Sequence, residues 1–145
     1  MKRLLFVAVL ALSLSIAAIA PAATRNFAGS VEEGGLMAFK LKTEDGHKVV
    51  KGFQWGKGVP ATCEVGGETT LNGATGSAMR VRHGEFGATE DIGYAIQKVA
   101  GEFRTRHKAK GTLRVRGDFV DTENCDTGRL HWTATDQVTR SSGRP

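Results

Sequence analysis

From residue 26 onward the apolar side chains recur at every second position, in short runs punctuated by glycine, which is the period of half-buried β-strands. Residues 26–31 form a first strand. Met37, Phe39 and Leu41 then alternate with Ala38, Lys40 and Lys42, and Glu44-Asp45-Gly46 turns the chain into a third strand with Val49, Phe53 and Trp55 on its inner face. Residues 56–61 read as a loop and Cys63 lies in a short fourth strand. The Gly-, Thr- and Asn-rich stretch 66–77 reads as a long loop with one short edge strand. Met79 and Val81 alternate with Arg80 and Arg82, and His83-Gly84 turns into a strand carrying Phe86. Residues 90–100 fit a helical face through Ile92, Ala95, Ile96 and Val99, but Gly93, Tyr94 and the strand that follows favour β. A hairpin pairs residues 94–105 with 111–120 across 107–110, and the last strand sets Leu130, Trp132 and Ala134 inward.

Glycine, an acid and phenylalanine follow one another three times, at Gly84-Glu85-Phe86, Gly101-Glu102-Phe103 and Gly117-Asp118-Phe119, with a spacing of 17 and then 16 residues. That spacing is about one hairpin and belongs to a strand meander. The repetition gives these residues a fold role: glycine admits close packing or a bulge, the acid faces solvent and the ring enters the core. The expected fold is all-β, an antiparallel sandwich of eight to ten short strands, with a closed meander barrel as the alternative. An immunoglobulin domain is excluded, because Trp55 precedes Cys63 and Trp132 follows Cys125 instead of lying between them. The tryptophans bracket the cysteines, so both are expected to pack near them.

Lys2 and Arg3 precede an apolar run from Leu4 to Ala20, and Ala20 and Ala22 flank Pro21 in an A-x-A arrangement. Residues 1–22 are therefore read as a secretory signal peptide, 23–138 as one β domain and 139–145 as a disordered polar tail. No other segment is apolar enough to span a bilayer, so the mature protein is expected to be secreted or extracytoplasmic. Cleavage takes the counts from 20 basic and 15 acidic residues to 18 and 15, a net charge of +3 instead of +5. In an oxidising compartment the two cysteines, Cys63 and Cys125, are expected to form one disulfide.

The strongest surface signal is cationic. Arg80, Arg82, Arg104, Arg106, Lys108, Lys110, Arg114 and Arg116 share the outward parity, opposite to Val81, Phe103, Leu113 and Val115. A hairpin centred near Ala109 sets Arg104 across from Arg114 and Glu102 across from Arg116. Such a face suits an anionic polymer: a teichoic-acid-like wall component, lipid phosphate or acidic glycan. The inward parity of Phe86, Phe103 and Phe119 argues against nucleic acid, whose single strands need exposed rings for stacking.

Other chemistry is thinly represented. His47, His83, His107 and His131 have no metal-ligand spacing, and no metal or cofactor is expected. Ser30, Ser77, Ser141 and Ser142 lie outside any nucleophile motif, and Gly56-Lys57-Gly58 lacks the rest of a phosphate loop. Glu85, Glu102 and Asp118 are acids of the structural repeat rather than a catalytic pair. No catalytic residue is expected.

Several segments carry a resemblance: the stretch from Trp55 to Cys63, Arg80-Val81-Arg82-His83-Gly84-Glu85-Phe86, Gly101-Glu102-Phe103, and Cys125-Asp126-Thr127-Gly128 leading to Trp132-Thr133-Ala134. In these the chain resembles a family of small secreted bacterial β-proteins of actinobacterial type. The resemblance implies a secreted sandwich-like fold with one disulfide, and it implies no activity. The functional expectation is a non-enzymatic module that binds an anionic cell-envelope or extracellular polymer through the basic face centred on Arg104, Arg106, Arg114 and Arg116. The alternative is a secreted inhibitor that acts on a hydrolase partner through a disulfide-held loop, 66–77 or 120–128.

Overall fold

The computed structural model describes residues 23–137, so the expected leader at 1–22 and tail at 139–145 lie outside the described residues. The chain is all-β and antiparallel, as the alternation implies. Its strands are β1 (Arg25–Val31), β2 (Leu36–Glu44), β3 (His47–Val65), β4 (Gly67–Ala74), β5 (Met79–Arg80), β6 (Glu85–Asp91), β7 (Ala95–Thr105), β8 (Lys108–Phe119), β9 (Thr122–Asp126) and β10 (Leu130–Asp136).

The hydrogen-bonded order β10-β1-β2-β3-β9-β8-β7-β6 is closed by pairing of β10 with β8, which makes a ring of strands rather than a clear barrel. Two long strands make the closure: β8 pairs with β7 along one edge, and with β10 and then β9 along the other. β3 runs beside β2 and then β9 on one edge, with β4 and β5 on its other edge. A second link crosses from β3 to β7. Val81 N–H donates to Lys48 O, and Phe103 N–H donates to Gly84 O, so the β5–β6 turn bridges the two strands.

Inside the ring lie Phe27, Phe39, Phe53, Phe86, Phe103 and Trp132, with neighbouring ring centroids 4.9–6.1 Å apart. The glycine of the second repeat explains how these rings fit. Phe86 pairs across strands with Gly101, Gly101 with Gly111, and Gly111 with Trp132. The two aromatic rings fold over the two glycines, and a Cβ on Gly101 would lie 2.4 Å from Phe86 Cζ and 2.7 Å from Trp132. Trp55 covers Gly73 of β4 in the same way. Trp132 thus packs against Phe39, Phe53 and Phe86 and over Gly101 and Gly111, and Trp55 over Gly73.

Cys63 and Cys125 are bonded directly opposite each other on β3 and β9. The following Asp126-Thr127-Gly128 segment then clamps β8. Thr127 Oγ1 accepts from Val115 N–H at 2.9 Å, and Asp126 Oδ1 accepts from Gly128 N–H at 2.8 Å.

Four sequence expectations need correction. Residues 56–61 are not a loop; they continue β3, and Lys57 and Gly58, at φ 55° and 109°, absorb the irregularity. The stretch 66–77 is mostly the eight-residue strand β4, held by backbone pairing to β3. Val50, not Val49, points inward with Phe53 and Trp55, because Gly52 at φ 59° forms a bulge that flips the parity. The β7–β8 turn falls at Arg106-His107, so Glu102 faces Lys110 and Lys98 faces Arg114, in place of the pairings of Arg104 with Arg114 and Glu102 with Arg116. Residues 90–100 are β as expected, with a turn closed by Ile92 N–H to Ala95 O.

Candidate anion-binding end

All eight cations picked out by parity are exposed. The register does not gather them into one face; it divides them along the strands. β2, β6, β7, β8 and β10, together with the start of β3, bring the turns at 44–47, 81–84 and 105–108 to one end of the ring. Arg25, Lys48, Arg80, Arg82, Arg104, Arg106 and Lys108 collect there, with His47, His83 and His107 beside them, and they outnumber the acids of the same end, Glu44, Asp45, Glu85, Glu102 and Asp136, of which Glu44 pairs with Lys51. The other end holds the turns at 65–67, 91–94 and 119–122 and is acidic, with Glu64, Glu68, Asp91, Asp118, Asp121, Glu123 and Asp126. Lys108 and Arg116 are separated by about 26 Å of strand at roughly 3.3 Å per residue. This is more than twice the screening length of about 10 Å at 0.1 M salt, so the acidic end does not cancel the field of the basic one.

Ion pairing sorts the candidates further. Arg114 binds Asp126 through two hydrogen bonds, 3.1 and 2.6 Å, and Arg116 lies 3.7 Å from the same carboxylate. The Arg114 bond is the main reason the Asp126 carboxyl is held below its usual range, against the opposing effect of burial. Asp126 in turn raises the guanidinium of Arg114. Arg104 and Lys110 share Glu102, at 3.1 and 3.5 Å. Arg82, Arg106 and Lys108 have no carboxylate partner among the described residues. Arg80 lies against His47, its Nη2 2.7 and 2.9 Å from the two ring nitrogens, so here two basic groups meet without an acid between them.

Arg25, which parity did not single out, braces this end. Its guanidinium binds Asp136 Oδ2 at 2.5 Å, reaches the carbonyl of Arg106 and approaches His107 Nδ1 at 3.2 Å, and so ties β1, β10 and the β7–β8 turn together. Burial pushes the Asp136 carboxyl up, but hydrogen bonds from Arg25 and His107 and the charge on both outweigh it, and the net direction is down. Between these turns a cleft of about 600 Å³ opens. Its floor is Leu41, Val81 and Phe103, and its rim includes His47, Lys48, His83 and Arg106.

Three of the four histidines therefore share one end, a grouping that their sequence spacing does not reveal. Among the described residues no cluster of histidine, cysteine and carboxylate is arranged to hold a metal ion. His131 lies on the outer face, in a shallow groove with Glu85, Glu102 and Lys110. Glu85 and Glu102 are directly opposed across β6 and β7, and Glu102 is neutralised by Arg104 and Lys110, the solvent-facing role expected of the repeat acids. Asp118 accepts a backbone hydrogen bond from Asn124 at 2.8 Å. Among the described residues no helix is long and apolar enough to cross a membrane. No protein-family model, no curated protein and no solved structure matches this chain.

Proposed function

We propose that the protein is an extracytoplasmic, non-enzymatic binding module that meets an anionic cell-envelope or extracellular polymer with the basic end of its strand ring. The observation that carries this reading is the lengthwise separation of charge, with Arg82, Arg106 and Lys108 free of carboxylate partners among the described residues at one end. It moves the centre of binding away from Arg114 and Arg116, which share the one carboxylate of Asp126 and keep a single net positive charge between them. The Cys63–Cys125 disulfide is compatible with an oxidising location. The inhibitor alternative loses its first candidate loop, since residues 67–74 are a paired strand, and half of its second lies in β9.

The test is co-sedimentation of the oxidised protein with purified bacterial cell wall from low to high salt. Retention should fade as salt rises, as expected for contacts between exposed charges. Absence of retention at low salt refutes the reading.

A further inference from the structure

The cleft at the basic end has a feature that binding to a hydrophilic polyanion does not use. Its rim carries the cations Lys48 from β3 and Arg106 from the β7–β8 turn, with the imidazole of His83 from the β5–β6 turn, while its floor is the apolar trio Leu41, Val81 and Phe103. We propose that this cleft is a site for an amphiphilic anion of the alkyl-phosphate class, with the phosphoryl group on the rim and the first methylenes of the chain on the floor. The inference rests on the anion-binding reading of this end and narrows it to one ligand chemistry.

Donors arriving from three separate elements suit a tetrahedral group that accepts hydrogen bonds in several directions, and the guanidinium fork matches phosphate oxygens. The volume, about 600 Å³, is within the range of small-molecule clefts. Val81 and Phe103 are only partly buried, so an alkyl chain laid on them removes apolar surface from water on both partners. Each methylene that reaches the floor should tighten binding about fourfold.

The experiment is calorimetric titration of the oxidised protein with n-octyl phosphate below its micellar concentration, with inorganic phosphate and octyl glucoside in parallel. Octyl phosphate is expected to bind one per protein and at least tenfold tighter than inorganic phosphate, and octyl glucoside not to bind. Lys48→Ser with Arg106→Ser should abolish the interaction, and Val81→Ser should bring octyl phosphate to the level of inorganic phosphate. Equal binding of octyl and inorganic phosphate overturns the proposal, as does octyl phosphate binding that survives in Lys48→Ser/Arg106→Ser. Should Val81→Ser not fold, amide chemical shifts of Val81, His83 and Phe103 in the wild type take its place: they must move with octyl phosphate and not with octyl glucoside. Cell-wall retention by the wild type without octyl phosphate binding refutes this cleft alone, whereas loss of both refutes the parent reading.

Discussion

Gly101→Ala places one methyl group where the ring of strands has no room for it. The added Cβ would sit 2.4 Å from Phe86 Cζ and 2.7 and 2.8 Å from two atoms of the Trp132 indole. Neither ring can swing into solvent, because Phe86 is 6% and Trp132 1% exposed, and both pack against Phe39. Overpacking of this kind costs about 1–3 kcal/mol, and two pinned rings put this site at the upper limit. For a domain of this size about 3 kcal/mol lowers Tm by roughly 12 °C. Gly76→Ala is the control: it has nothing within 4 Å and no positive φ, so it should change stability by no more than about 0.5 kcal/mol. Thermal unfolding followed by far-UV circular dichroism reads both, and the near-UV band reports the indole environment. A Gly101→Ala protein that melts within 2 °C of the wild type, or no lower than Gly76→Ala, would refute the glycine–aromatic packing.

Other perturbations have equally direct outcomes. Replacing Cys63 and Cys125 by alanine frees a loop with a sequence separation of 62 residues and should destabilise by about 4 kcal/mol in the chain-entropy picture, measurable by urea unfolding; an unchanged midpoint contradicts it. Asp126, Asp136 and Glu90 have carboxyls held below their usual range in the fold. Their stabilisation is therefore complete above the unfolded carboxyl range near pH 4 and is lost as pH falls through the lower folded values. Asp126→Asn should accordingly flatten part of the acid limb of a Tm-versus-pH curve, and an acid limb identical to that of the wild type argues against the Arg114 bond. Gln97, 2% exposed, donates to Ala74 O and to Glu90, each at 2.8 Å, across the gap between β7 and the end of β4. Gln97→Leu should cost about 1–3 kcal/mol and speed hydrogen exchange at Gly76 and Ser77, whose amides are held by Glu90.

Much of this architecture is legible in the pattern. Met37, Phe39 and Leu41, and later Leu130, Trp132 and Ala134, alternate cleanly because each strand has one wet and one buried face. β4 was hidden because Leu71 is its one buried apolar side chain; Trp55 reaches over to fill the place of a side chain at Gly73, so no alternation is written in its own residues. The inward turn of Val50 depends on the left-handed conformation of Gly52, and a glycine in a run of β-formers does not announce a bulge. At the candidate site, parity correctly put all eight cations on the outside. It could not assign them to ends, since that depends on where the β7–β8 turn falls. Moving the turn to Arg106-His107 carries Arg114 and Arg116 to the half of the sheet where Asp126 meets them. Nothing in the sequence around Arg25 marks its role, because its partners, Asp136 and His107, are 111 and 82 residues away.

On the proposed reading one end of the ring, and not its basic residues at large, carries the binding. The most direct measurement compares two double variants of equal charge in the cell-wall co-sedimentation assay at low salt: Arg82→Ser/Arg106→Ser at the basic end and Arg114→Ser/Arg116→Ser beside Asp126. Both must first give cooperative melting transitions. The first is expected to lose retention and the second to keep it. Equal loss in both would mean that net charge alone is being read, and loss in the second alone would place the contact on the sheet face beside Asp126.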